Sequence, residues 1–373
     1  MKLIRANIIL WFLIACTGVK AQNTSETSFK NAFKKQFLIG VAINRQQATG
    51  SNSAEQKIIK EEFNTISPEN DLKWEKIHPS KDEYNFVPAD AYVKTGKDLN
   101  MFIIGHTLLW HSQTPKWVFE DDNGNLLKRD ALLERLHDHI NKVVGRYKGV
   151  IKGWDVVNEA LNENGTLRDS KWRTIIGDDY IEKAFEYAHA ADPDAELYYN
   201  DYNLYKKEKC QGAVEIVKRL RAKGLPIKAV GEQGHYSLTG PSLQEVEATI
   251  ITLIGTGVHV NITELDISVL PDKGAAATAD VSNNAAYNKE LDPYKSGLPP
   301  EIEQKLADKY TSLFELFVKY EKNIDRITFW GLSDRDTWLN NWPIRGRTNY
   351  PLPFNRDLSS KTKVKTGILK TAK

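Results

Sequence analysis

The chain has 373 residues, 41% hydrophobic and 10% aromatic, with 51 basic and 49 acidic side chains. This is ordinary globular composition, with enough apolar residues for a large core. A net charge of +2, with Lys and Arg scattered along the chain, excludes a nucleic-acid-binding stripe and points to a neutral partner.

The N-terminus reads as a targeting segment. Lys2 and Arg5 precede the apolar run Ile8–Ala15, which is too short to span a bilayer and fits a signal-peptide core. Val19-Lys20-Ala21 offers small residues for cleavage before Gln22, so residues 1–21 are expected to be removed and the protein exported, secreted or periplasmic. Cleavage there removes three basic and no acidic residues, moving the net charge from +2 to −1. A second route competes: Leu13-Ile14-Ala15-Cys16 resembles a lipobox, which would make the protein a lipoprotein anchored to the membrane at Cys16. Either route leaves Cys210 without an internal partner, so no disulfide framework is expected, and Cys210 reads as a structural residue on a helix.

From residue 37 onward, short apolar runs alternate with amphipathic stretches. Strands are predicted at Phe37–Ile43, Thr65–Pro68, Met101–Thr107, Ile151–Val157, Ala195–Asn200, Ala229–Gly234, His259–Thr263 and Ile327–Leu332. Helices are predicted at Ala54–Phe63, Ala131–Tyr147, Asp179–Ala190, Lys209–Lys223, Leu243–Thr256 and Pro300–Lys319. Eightfold alternation predicts one α/β domain over residues 27–373, a single (β/α)₈ TIM barrel. An open doubly wound sheet would need a glycine-rich phosphate loop after the first strand, and Gly40-Val41-Ala42-Ile43-Asn44 is not one. The segment 271–300 follows the seventh strand and is expected on the active-site side, whereas the Lys- and Thr-rich tail after Phe354 receives no role.

Two of the strands end in glutamate. Gly153-Trp154-Asp155-Val156-Val157-Asn158-Glu159 closes the fourth, and Val260-Asn261-Ile262-Thr263-Glu264-Leu265-Asp266 the seventh. Catalytic groups of such barrels sit at the C-terminal ends of strands, so both carboxylates are expected to face one cleft. A carboxylate pair is the equipment for glycosidic cleavage. A gap of about 5–5.5 Å gives retention and one of about 6.5–9.5 Å gives inversion, and spacing along the chain leaves both open. The neighbours separate the roles. His235, after the sixth strand, can donate to both Glu264 and Asp266, which favours an ionised nucleophile. Glu159 lies beside the neutral amide of Asn158 and opposite a negative partner, which favours a protonated acid.

These two segments resemble the signatures of glycoside hydrolase family 10, the endo-β-1,4-xylanases. So do Pro68-Glu69-Asn70-Asp71-Leu72-Lys73-Trp74, Gly105-His106-Thr107-Leu108-Leu109-Trp110-His111-Ser112-Gln113-Thr114-Pro115, Tyr199-Asn200-Asp201-Tyr202-Asn203, Gln233-Gly234-His235, and Phe329-Trp330-Gly331-Leu332-Ser333-Asp334 followed by Trp338. The likeness runs from about Phe37 to Asp357, with Leu72 where the family motif has Met. The resemblance implies a retaining endo-1,4-β-xylanase acting on xylan and xylo-oligosaccharides, with Glu159 as acid/base and Glu264 as nucleophile. It further implies Glu69, Asn70, Lys73, His106, Trp110, Gln113, Tyr202, Gln233, Trp330 and Trp338 as substrate-binding residues, with Asn158, His235 and Asp266 in support.

The side chains themselves agree with that assignment. Trp74, Trp110, Trp330 and Trp338 can offer flat faces to pyranose rings, and Lys73, His106 and Gln113 can donate to sugar hydroxyls. Xylose lacks the exocyclic CH₂OH of glucose, and Lys73, Trp330 and Trp338 can crowd that group out. No carboxylate is spaced to complete a zinc set with His106 and His111, so no metal and no cofactor is expected. The expected state is a monomer. Two rival functions are a β-glycanase of the same mechanism acting on β-1,4-glucans and a catalytically silent carbohydrate-binding barrel.

Overall fold

The computed structural model describes residues 28–271, 286 and 289–373. Eight parallel strands close into a barrel: β1 (Leu38–Ile43), β2 (Thr65–Pro68), β3 (Phe102–Trp110), β4 (Gly153–Asn158), β5 (Glu196–Asp201), β6 (Ala229–Glu232), β7 (His259–Ser268) and β8 (Ile324–Phe329). Each pairs with the next in sequence, and β8 returns to β1. Closure is visible at Gly40, whose register partners are Thr65 of β2 on one side and Thr328 of β8 on the other. Every residue of β4 is buried, as expected of a parallel strand covered on both faces.

A helix follows each strand: α1 (Ser53–Glu62), α2 (Val87–Asp98), α3 (Arg129–Arg146), α4 (Tyr180–Ala191), α5 (Lys207–Ala222), α6 (Leu243–Ile254), α7 (Pro300–Lys319) and α8 (Thr362–Leu369). Their apolar stripes face the barrel. In α3, Leu132, Leu136, Ile140, Val143 and Val144 are buried at helical spacing. Ser242 and Glu245 form a capping box that starts α6. Between β3 and β4 the backbone must leave room for Trp154: a Cβ at Gly105 would lie 2.1 Å from its indole, so only glycine fits.

All eight predicted strands and all six predicted helices are present; Thr65–Pro68 and Pro300–Lys319 keep their predicted bounds and the others have shifted ends. The sequence reading missed α2, because its buried stripe is Ala89, Tyr92, Val93 and Gly96, with Pro88 in the first turn. Small residues carry little hydrophobic signal, and Gly96 is imposed by Ile103, which would stand 2.5 Å from an added Cβ. β7 runs to Ser268, past its predicted end, because its C-terminal half pairs with a short strand, His235–Ser237. That register sets His235 opposite Asp266.

The tail, given no role in the sequence reading, is part of the fold. Val364 and Ile368 of α8 are buried, and Lys365 pairs with Glu62 of α1 at 2.8 Å. Lys361 forms a fully buried ion pair with Asp334, just beyond β8. The expected signal segment with Cys16, and most of the loop expected on the active-site side, lie outside the described residues. Among the described residues no helix is long and apolar enough to cross a membrane.

Candidate active site

At the C-terminal rim of the barrel, neighbouring strands end on polar residues in one row. Trp110 of β3 is in register with Asn158 of β4, and Asn158 with Asn200 of β5. The row continues across the sheet, where the backbone N–H of Glu264 donates to Gln233 O at 2.7 Å. Above it opens a cleft of about 200 Å³ lined by Glu69, Asn70, Lys73, His106, Trp110, Gln113, Asn158, Glu159, Gln233, His235, Glu264, Trp330 and Trp338. Both glutamates therefore reach one cleft from β4 and β7.

Glu159 follows the last residue of β4 and adopts a left-handed φ of +55°. That backbone costs a non-glycine residue about 1–3 kcal/mol and persists only where neighbours impose it. Its N–H donates to Asn200 O at 2.9 Å, and Arg168 Nε donates to its carbonyl at 3.3 Å. Three donors hold the buried carboxylate: Trp110 Nε1 at 2.8 Å, Gln233 Nε2 at 3.1 Å and Asn158 Nδ2 at 3.2 Å. Burial raises its pKa, the negative charge of Glu264 adds to the rise, and the Gln233 and Trp110 hydrogen bonds oppose it. The net result is a carboxyl that holds its proton above the usual range.

Glu264 is buried just as deeply and shifts the other way. Burial pushes its pKa up, but the His235 hydrogen bond and the fields of His106, His235 and Lys73 outweigh burial and hold it below the usual range. His235 Nε2 lies 3.2 Å from Glu264 Oε2 and its Nδ1 lies 3.0 Å from Asp266 Oδ1. Burial works against the imidazolium, yet the two carboxylates raise the His235 pKa to about 10. Asp266 is fully buried, and its second oxygen accepts from Trp338 Nε1 at 2.7 Å. Trp338 stacks on Trp342 at 4.5 Å, so one carboxylate orients both the histidine and a cleft wall.

The other side of the cleft is set by the segments after β2 and β3. Lys73 Nζ donates to Asn70 Oδ1 at 3.2 Å and stands 4.9 Å from the Trp110 ring centre. Burial lowers the Lys73 pKa, against the pull of Glu264, Glu159 and Glu69. Burial raises Glu69 to about 8, opposed by Lys73. Gln113 donates to Glu75 at 3.1 Å, and His106 Nδ1 lies 3.0 Å from Asp155.

The cleft gathers every predicted site residue except Asp266 and Tyr202. Tyr202 is 2% exposed and does not line it: its hydroxyl accepts from Arg168 Nη2 at 2.9 Å and its ring covers Lys209 Nζ at 3.4 Å. Trp74, read as a sugar platform, is 3% exposed and stacks on His139 at 3.6 Å within the core. Trp110 lines the cleft, and its indole N–H holds the Glu159 carboxylate. The residue missed is Asn200. Its Nδ2 donates to Glu264 Oε1 at 2.8 Å and to Asn158 Oδ1 at 2.9 Å, while its own oxygen accepts from Thr263 at 2.6 Å. Its place at the end of the fifth strand is a signal equal to that of Asn158.

The model of glycosyl hydrolase family 10 matches residues 28–368. Endo-1,4-beta-xylanase A of Xylanibacter ruminicola is 44% identical over 92% of this chain and 93% of its own length. Endo-1,4-beta-xylanase of Geobacillus stearothermophilus is 40% identical over 91% and 97%. A GH10 endoxylanase from a sugarcane soil metagenome superposes with a TM-score of 0.89 at 43% identity, covering 92% of this chain and 99% of its own. A variant of the intracellular xylanase of Thermoanaerobacterium saccharolyticum, solved with xylotetraose, superposes with a TM-score of 0.80 at 34% identity, covering 92% and 99%. On sequence and on fold alike, the chain belongs to glycosyl hydrolase family 10.

Proposed function

We propose that the chain is a retaining endo-1,4-β-xylanase. Glu264 attacks the anomeric carbon of the bound xylose unit while Glu159 gives its proton to the leaving oxygen. Glu159, now ionised, then takes a proton from the water that releases the sugar. The observation that carries this reading is two buried carboxyls on one cleft in opposite surroundings: Trp110 and Gln233 hold Glu159, whose pKa burial raises, while His235 and Asn200 hold Glu264, whose pKa is lowered. Lys73, Trp330 and Trp338 line the same cleft, where they can crowd an exocyclic CH₂OH, which supports xylan over glucan. Release of reducing oligosaccharides from xylan and not from carboxymethyl cellulose, with the β-anomer formed first by NMR, is the expected result. Xylan binding without oligosaccharide release would overturn the enzyme assignment, and equal activity on cellulose would overturn the substrate assignment.

The same reading includes export, with residues 1–21 removed as a signal peptide. The charged start and the short apolar run support it. Mass spectrometry of the mature protein tests this: a chain starting at Gln22 supports soluble export, and a lipidated Cys16 supports the anchored alternative.

A further inference from the structure

Outside the cleft lining, the loop that carries the acid/base is pressed onto α5. The loop doubles back through the Leu161–Leu167 bridge, and the N–H of Arg168 donates to Ala160 O at 2.7 Å. Its turn at Gly165 touches the helix backbone: a Cβ there would lie 2.1 Å from Glu208 O, and one at Gly212 would lie 2.4 Å from Gly165 O. Within this contact sits Lys209, fully buried. Its Nζ is 3.0 Å from Asp201 Oδ1 at the end of β5 and 3.0 Å from Glu163 Oε1 on the loop. Asp201 Oδ2 in turn accepts from the N–H of Leu161 at 3.3 Å.

We propose that Lys209 is a positioning residue for the acid/base: its buried ammonium ties the Glu159 loop to β5 and α5 and supplies a fixed positive charge behind the Glu159 carboxylate. A buried ammonium is costly to desolvate, and packing alone does not require one here, because the two glycines already set the backbone contact. The tie runs from Lys209 through Asp201 to Leu161, two residues beyond Glu159. It also runs through the Tyr202 ring to Arg168, which holds the Glu159 carbonyl. The charges facing Glu159 are Glu264 on β7, Lys73 after β2, Asp201 on β5 and Lys209 on α5. Lys209 itself faces Asp201, Glu163 and Glu232, and Lys206 shares Glu163 with it. Lys209 opposes the rise in the Glu159 pKa, so it keeps the carboxylate able to act as a base in the second step.

The inference rests on Glu159 being the acid/base, so the experiment first asks whether azide rescues Glu159→Ala. Failure of that rescue would sink the assignment itself. With the assignment standing, Lys209→Met should move the alkaline limb of kcat/KM on xylan to higher pH. It should also lower kcat roughly ten- to a hundredfold, with KM changed by less than about twofold. Glu163→Gln, at a partly exposed site, leaves the Lys209 charge less balanced and should move the same limb to lower pH. Opposite shifts establish the role. An unmoved limb in both variants, or in Glu163→Gln alone where Lys209→Met does not fold, overturns it.

Discussion

His235 stands 3.2 Å from the Glu264 carboxylate and carries a positive charge there because Asp266 holds its other nitrogen. The imidazolium is therefore present across the range in which the enzyme must keep its nucleophile ionised, since its own pKa is raised to about 10. Replacing it removes a donor and a charge from Glu264, whose pKa must then rise. Activity on the acid side depends on ionised Glu264, so His235→Gln should move the acid limb of kcat/KM to higher pH and leave the alkaline limb in place. An acid limb unchanged by the substitution would remove His235 from this role. The linkage also has a sign. A histidine whose folded pKa exceeds its ordinary value stabilises the fold fully below about 6.5, and this contribution fades as pH rises through about 10. The excess stability of wild type over the variant should shrink across that window in urea titrations.

The two glutamates should respond differently to substitution. Glu264→Gln leaves no nucleophile and should abolish turnover on every substrate. Glu159→Ala removes general acid and base assistance, a loss of about 10²–10⁴-fold on xylan. An aryl xyloside with a good leaving group needs no proton in the first step, so a burst of phenol should survive and added azide should restore the second step. Equal loss on xylan and on the aryl substrate, with no rescue, would refute the assignment. The alkaline limb of the wild-type profile should report Glu159, which burial holds above the usual carboxyl range.

Much of this was legible because barrels write their chemistry at strand ends. A buried strand reads as a continuous apolar run, and the polar residue that breaks the run at its C-terminal end has few structural reasons to be there. Glu159 and Glu264 were found by that logic. The His235 contacts with Glu264 and Asp266 were read as well, but other partnerships between residues distant in sequence escaped. Tyr202 is a substrate-binding residue by resemblance, and only the packing of Arg168 and Lys209 around it shows that it stands outside the cleft lining. Asn200 looks like one more strand-end amide until its contacts with Asn158, Thr263 and Glu264 are seen together. Helix α2 was invisible because Ala89 and Gly96 of its buried stripe are small and carry little hydrophobic signal, Gly96 by the steric demand of Ile103.

Asn200 is accordingly the next residue to test. It is fully buried, and its amide donates to Glu264 beside His235. Asn200→Ala should raise the Glu264 pKa by loss of that donor and loosen Asn158 at the same time. The expected result is an acid limb moved to higher pH and kcat lowered roughly tenfold or more, with KM little changed. A variant with normal kcat and an unshifted limb would show that Asn200 serves only to fill the rim.

The C-terminal tail yields a prediction on stability rather than rate. Lys361 and Asp334 are an ion pair with side chains 1% and 0% exposed. Asp334 also accepts from the N–H of Leu352 at 3.0 Å, so the carboxylate organises the turn after β8 as well as the tail. Burial alone raises the Asp334 pKa and lowers that of Lys361, and each opposes the shift of the other. Lys361→Met strands a carboxylate without its cation, which typically costs about 3–5 kcal/mol. Asp334→Asn made in the same chain removes the stranded charge and should recover part of the loss, although its amide meets Leu352 less well. A double-mutant cycle in urea should therefore show a coupling energy of about 1–3 kcal/mol. Additive losses would mean that the tail is held by buried Val364 and Ile368 and by the Lys365–Glu62 pair, and that the Lys361–Asp334 pair contributes nothing to closing the barrel.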